Sequence, residues 1–306
     1  RPVNISALRP AGDTGWCAYT AAGGNGVQLS SSGRILVPGY HTECTFEKRS
    51  SRRLRDASMG LEYSHLWWSD NGGQDWNVTS QFGRGTSEGA LAQTFHAGEE
   101  TLLYSFRVDQ GEMHCLPNTS VTHCKRSAVS TDRGLTWHSF KDESALPDPA
   151  CKGGIASWPK EKALVHVNDA NVRVRMDVTL RVSHDDGSSW PHSVLIDNCQ
   201  KDPLRLEAMR GKLECGYAVV QMLPPTTHQD AGSAAVLYEL GGAGLGFARV
   251  PGSAMIGAPG VKTGDTASRL GPQSAPKGPE RSAAKRMKSD EGYSYRVSDR
   301  ITVTAS

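Results

Sequence analysis

One octapeptide pattern recurs three times in this chain, and it limits the folds available more than any other feature. Ser130–Trp137 reads STDRGLTW, Ser183–Trp190 reads SHDDGSSW and Ser69–Trp76 reads SDNGGQDW. Serine, aspartate, glycine and tryptophan hold offsets 1, 3, 5 and 8, with Asn71 in place of aspartate in the first copy. Asn71 and Asp132 are 61 residues apart, and Asp132 and Asp185 are 53 apart. A unit that repeats at this interval indicates small sheets in a stacked or radial array. Each octapeptide suits a hairpin turn. Asp132 and Asp185 can accept backbone N–H groups as Asx turns do. Gly73, Gly134 and Gly187 supply the positive φ of a tight turn. Trp76, Trp137 and Trp190 pack beside it. Asn71 keeps the acceptor oxygen and loses only the charge.

The remaining text agrees with an all-β chain. Runs such as GRILVPGY, ETLLYSFRVD, KALVHVND and SAAVLYEL lie between clusters of Gly, Asp, Asn and Pro. Many short antiparallel strands have this signature. Residues 172–183 alternate strictly, with Val172, Val174, Met176, Val178, Leu180 and Val182 on one face. Arg173, Arg175, Asp177, Thr179, Arg181 and Ser183 take the other. The pattern predicts one strand with a charged face. Three arginines on that face invite an anion; an ordinary solvent-facing strand has the same pattern.

A formal net charge of +2 over 306 residues argues against a nucleic-acid partner. Residues 1–250 carry the strand signals. Residues 251–306 turn to Gly, Pro, Ser, Ala and Lys, with nine basic against five acidic residues, and read as a mostly disordered basic tail. Its last stretch, YSYRVSDRITVTAS, has the composition of a strand. No run is long and apolar enough to span a membrane. The seven cysteines contain no CxxC pair, so a structural zinc site is not expected. Cys115 and Cys124 could bridge a local loop, and the odd count leaves a free thiol. Asn4, Asn77 and Asn118 begin glycosylation sequons, which matter only in a secretory compartment.

The turn octapeptide resembles the Asp box of exo-α-sialidases, or neuraminidases, and of a few non-enzymatic propellers. NGVQLSSSGRILVPGYH, TSEGALAQTF, LLYSFRVD, ACKGGIASWP, VRVRMDVTLRVS, CGYAVVQML and AAVLYEL follow in the order found in animal and bacterial sialidases. The resemblance covers about residues 12–250 and implies a six-bladed β-propeller. Such an enzyme removes terminal α-linked sialic acid from glycoproteins, glycolipids such as gangliosides, or oligosaccharides, with retention of configuration. Sialylated glycoconjugates would be its partners, and no cofactor or metal is needed. The compartment implied is lysosomal, membrane-associated or secreted rather than cytoplasmic.

The resemblance also implies roles. Tyr217 in ECGYAVVQ matches the nucleophile, a neutral phenol that avoids the repulsion a carboxylate nucleophile would meet from the sugar's own carboxylate. Glu88 in TSEGALAQ matches the base that takes its proton. Arg107 in YSFRVD and Arg175, with Arg173 as the fallback, match arginines that grip the substrate carboxylate. Tyr40 in VPGYH matches an aromatic wall of the sugar pocket, and Arg181 reads as structural. Tyr238 is a rival tyrosine within a later strand.

Two family features match no position. The first arginine should stand in an Arg-Ile-Pro motif, followed by an acid/base aspartate. Arg9 and Asp13 have the wrong surroundings. Lys152 stands where glutamine is common. The expectation is a chain lacking most of its first blade or blades, and weakly active or inactive as it stands. Two alternatives stay open: a non-catalytic Asp-box propeller that binds glycans or proteins, and a trans-sialidase.

Overall fold

The β-rich runs pair into four separate sheets. The computed structural model describes residues 16–43, 61–98, 101–108, 115, 121–199, 214–225, 231–241, 244–256 and 301–302. The first sheet contains β1 (Trp16–Ala21), β2 (Val27–Gln28), β3 (Ile35–Glu43), β4 (Glu62–Ser69) and β5 (Asn77–Val78). Its order is β1-β3-β4-β5, with β2 also on β3. β6 (Thr86–Gln93), β7 (Leu102–Val108), β8 (Cys124–Ser130) and β9 (His138–Pro147) form the second. The third is β10 (Gly154–Trp158), β11 (Ala163–Asp169), β12 (Val178–Ser183) and β13 (His192–Asp197). The fourth is β14 (Gly216–Leu223), β15 (Ser233–Glu239) and β16 (Leu245–Pro251), with β17 (Ile301–Thr302) added parallel to β16. A short helix, α1 (Gly252–Ile256), follows β16.

Apart from β1 and β2, which both pair with β3, strands adjacent in sequence are adjacent in each sheet, as in a propeller blade. β3 packs on β6, β6 on β10, and β10 on β14, so the blades stand side by side. The described residues therefore form a propeller arrangement of four blades. The inner strands approach so closely that a Cβ at Gly154 would lie 2.9 Å from the backbone of Val219 and Val220. The Asn25 side-chain amide donates to the Val220 carbonyl at 2.6 Å, joining the first blade to the fourth.

The core lies between blades. Leu36, Leu66, Leu91, Tyr104 and Phe106 fill the first interface, and Leu103, Ile155, Leu164 and Trp190 the second. Val165, Val167, Leu180, Val182, Val220, Val236 and Val250 fill the third. Alternate residues of each strand face one neighbouring blade or the other, which is why a period of two reads through the sequence.

The three octapeptides connect the third and fourth strands of the first three blades. In each, the serine hydroxyl accepts the glycine N–H four residues on, at 2.8–2.9 Å. It donates to the Asn71, Asp132 or Asp185 side chain at 2.7–3.0 Å. That side chain in turn accepts backbone N–H groups: Asp75 for Asn71, Leu135 and Thr136 for Asp132, Ser189 for Asp185. Gly73, Gly134 and Gly187 have φ of 83°, 81° and 89°.

The predicted strand 172–183 needs correction. β12 begins at Val178, and residues 170–177 form a closed loop in which Ala170 N–H donates to the Asp177 carbonyl. The cause is local. Asn171 Oδ1 takes the N–H groups of Arg173 and Val174, at 3.0 and 3.2 Å, that a strand would give to its neighbour. Asp177 turns left-handed at φ 60°. Arg173 and Arg175 therefore leave a loop rather than a strand face, and Arg181 alone stays on the strand.

Cys115 and Cys124 form a disulfide. A second, Cys199–Cys215, ties the end of β13 to the start of β14 and was not visible in the spacing. Cys151 is free and buried. Of the tail, residues 257–300 lie outside the described residues, as do Arg9 and Asp13. Among the described residues no helix is long and apolar enough to cross a membrane.

Candidate active site

Tyr217 sits at the start of β14, where pairing with β15 slips between Gly216 and Val219. The irregularity frees the tyrosine from the ladder, and its φ of 50° is one that side chains with a Cβ seldom adopt. Its N–H donates to Cys151 Sγ at 3.4 Å. The residue before it must be small. A Cβ at Gly216 would meet Cys151 Sγ at 3.0 Å, Asp169 Oδ2 at 3.2 Å and Arg175 Cδ at 3.5 Å.

Glu88 and Arg107 come from neighbouring strands of the second blade, where the β6–β7 register also shifts, between Thr86 and Gly89. Arg107 Nη1 donates to Glu88 Oε2 at 2.6 Å and to Tyr217 Oη at 3.2 Å. Burial would loosen the Arg107 proton, but Glu88, with a smaller contribution from Tyr217, outweighs it and holds the guanidinium more firmly charged than usual. Arg175 lies over the Tyr217 ring, 5.0 Å from its centroid. Its carbonyl accepts Cys215 N–H at 2.8 Å, so the loop is anchored to the strand that carries the tyrosine.

Tyr40 on β3 is half-buried. Burial first, then the negative charges of Glu88 and Glu62, push its pKa above the ordinary value, with Arg107 opposing. The structure thus brings together Tyr217, Glu88, Arg107 and Arg175, with Tyr40 within electrostatic reach. A cleft of about 360 Å³ is lined by Arg107, Arg173, Arg175, Glu214, Pro149 and Ala150, together with Val174. Arg173 reaches this cleft although it was only the fallback for Arg175.

The tyrosine and arginine alternatives are engaged elsewhere. Tyr238 is buried and donates to Asp197 Oδ2 at 2.8 Å. Arg181 Nη1 donates to Asn168 Oδ1 at 3.3 Å, and burial lowers its pKa to about 10. Lys152 is buried beside the site, with Nζ donating to the Gly23 carbonyl at 2.8 Å. Burial lowers its pKa, and Glu88 counters part of that.

Asp169 and Cys151 form the floor under Gly216 and Tyr217. Asp169 is fully buried, and its carboxyl oxygens have no partner stronger than the weak donor of the Cys151 thiol. Burial raises its pKa to about 7. Burial and the Asp169 charge push the Cys151 thiol up to about 12. In the sequence, an aspartate closing an apolar strand and a lone cysteine gave no sign of this meeting. Among the described residues one group, Asp197, Cys199 and Cys215, has metal-like proximity, but both sulfurs belong to a disulfide and are unsuited to a metal.

A family model described as a BNR repeat-like domain matches residues 11–229. A curated sialidase from Micromonospora viridifaciens is 25% identical over 189 residues, which is 59% of this chain and 26% of that protein. Among solved structures, the Hadza microbial sialidase Hz136 superposes with a TM-score of 0.59 at 20% identity, covering 83% of this chain and 41% of its own. The Trypanosoma rangeli sialidase in complex with 2,3-difluorosialic acid, a covalent intermediate, gives 0.52 at 17% identity, covering 78% and 32%. This chain spans about a quarter of the curated relative's length. At these identities the structural likeness speaks to the fold.

Proposed function

The chain belongs to the BNR repeat-like, sialidase-type family, and from that premise we propose that it acts on terminal α-linked sialic acid as a retaining exo-sialidase. The observation that carries the reading is the convergence of Arg107 on both Glu88 and Tyr217, with Arg175 over the same phenol. A phenol beside two guanidinium groups suits a sugar whose anomeric carbon bears a carboxylate.

Arg107 and Arg175 hold that carboxylate. Arg107 now uses one nitrogen to engage both Glu88 and Tyr217, so an arriving carboxylate competes with Glu88 for it. Glu88, once released, accepts the Tyr217 proton as Oη bonds to the anomeric carbon. The bond to the glycosidic oxygen breaks and the aglycone leaves with that oxygen, which takes a proton from solvent. Water then adds its hydroxyl to the anomeric carbon and releases a proton to solvent as the tyrosyl–sugar bond breaks, and Glu88 returns its proton to the phenol. Two displacements give retention. Tyr40 lines the sugar side.

On this reading the complete propeller has six blades, of which residues 1–250 contribute a part. Its substrates are sialylated glycoproteins, gangliosides or oligosaccharides, and its place is in their breakdown. One observation favours a second, non-catalytic reading. Glu88 is engaged by Arg107 rather than by Tyr217, a resting arrangement that also suits a binding propeller. The test is turnover of a fluorogenic sialoside beside binding of the same sugar as its 2,3-didehydro analogue. Turnover lost in Tyr217→Phe supports the enzyme. Binding without turnover in the intact protein supports the second reading, and neither binding nor turnover removes both.

A further inference from the structure

Asp169 is the anomaly of this fold: a carboxyl at the end of β11, fully buried, with no hydrogen-bond partner stronger than the Cys151 thiol, under the strand that carries Tyr217. We infer, building on the sialoside reading above, that Asp169 is a positioning residue whose carboxyl must be protonated for Arg175 to serve a ligand carboxylate. Neutral, it leaves the guanidinium over the phenol. Ionised, it competes with the ligand for the same cation.

The geometry explains why Arg175 is the group affected. Among the described residues, the charged or titratable groups that act on Asp169 are Cys151 and Asp148 from the loop between β9 and β10, Lys125 from β8, and Arg175 from the loop before β12. Lys125 is already committed. It forms a buried ion pair with Asp148 at 3.0 Å and donates to the Cys151 carbonyl. Asp148 is held further by Cys151 N–H at 2.9 Å and by the Asn168 side-chain amide. Cys151 is a buried neutral thiol that can offer only a weak S–H donor. Among these groups Arg175 is therefore the cation left to answer a charge on Asp169; its other titratable neighbours are Tyr217, Arg107 and Glu214. Its Cδ and Asp169 Oδ2 both lie within 3.5 Å of the point where Gly216 would carry a Cβ. A buried charge that lacks a partner is costly, so ionisation would draw the guanidinium inward.

The carboxyl titrates near neutrality, at about 7, where the ligand carboxylate stays ionised. The experiment is calorimetric binding of 2-deoxy-2,3-didehydro sialic acid to the full chain between pH 5 and pH 8. Affinity is expected to hold steady at acid pH and to fall about tenfold by pH 8, since one proton is linked to binding. Asp169→Asn keeps the shape, cannot ionise, and should abolish the fall. A flat wild-type profile overturns the inference and leaves the sialoside reading intact. An unaltered fall in Asp169→Asn does the same. No binding at pH 5 overturns both. Should the Asn variant not fold, the wild-type profile together with Asp169→Ala still decides the matter.

Discussion

Arg107 Nη1 lies 3.2 Å from Tyr217 Oη, although 110 residues separate the two and they belong to different blades. The same nitrogen holds Glu88, so the phenol, the acid and the guanidinium form one chain of contacts. If that chain is catalytic, Tyr217→Phe should lower turnover of a fluorogenic sialoside by roughly a thousandfold or more, because no nucleophile remains. Binding of the didehydro analogue should change far less. Equal turnover in the variant would remove Tyr217 from the mechanism.

The two arginines are expected to act on binding. Arg175→Ala deletes a charge-assisted contact of about 1.5–3 kcal/mol, a ten- to hundredfold rise in Kd for a sialic-acid ligand. Arg175→Lys keeps the charge but not the planar fork, and should recover only part of the loss. Calorimetry at one pH and ionic strength separates these outcomes.

Asp169 also makes a prediction about stability. Its folded pKa is raised, to about 7, from an unfolded value near 3.8. The folded state thus binds the proton more tightly than the unfolded chain. The stabilisation is full below about pH 4 and is lost as pH rises through about 7. Asp169→Asn should be more stable than wild type at pH 8 and close to it near pH 4. Urea midpoints at the two pH values test this, and a wild-type midpoint higher at pH 8 through this residue would reverse the sign.

The Asp boxes should respond to acid in the opposite direction. Burial would raise the pKa values of Asp132 and Asp185, but hydrogen bonds from Thr136 and Ser130, and from Ser189 and Ser183, outweigh it and lower both. Their contribution is present above about pH 3.8 and is lost as pH falls through the lowered values. Asp132→Ala should cost about 1 kcal/mol at neutral pH, as lost turn caps do, and progressively less in acid. Denaturant titrations at neutral pH and at pH 3 measure the difference.

Gly187 offers a test of the turn itself. Its φ is 89°, and an added Cβ would stand 2.5 Å from Leu103 Cδ2 in the next blade. Gly187→Ala combines backbone strain with overpacking and should cost about 1–3 kcal/mol. The glycine of the first box meets nothing closer than 3.5 Å, at Trp76, so Gly73→Ala should cost less. Thermal unfolding of the two variants ranks them.

Local chemistry is written in the sequence where it acts between near neighbours. The Ser-x-Asp-x-Gly-x-x-Trp turns close within eight residues, and β7, β11 and β15 coincide with short runs bounded by turn residues. Those features alone determined an all-β chain of repeated blades. The segment 172–177 misled for the same reason. Its alternation is real, but a side chain at Asn171 captures the N–H groups that a strand requires, and composition does not reveal which competitor wins. Only the tertiary structure decided that residues 88, 107, 175 and 217 share one place, and that Cys151 and Asp169 lie under it. Residues so far apart meet because blades turn their inner strands toward one axis. The buried carboxyl of Asp169 owes its raised proton affinity first to burial, and the groups that modulate it, Lys125, Asp148, Cys151 and Arg175, come from three segments that only the fold brings together.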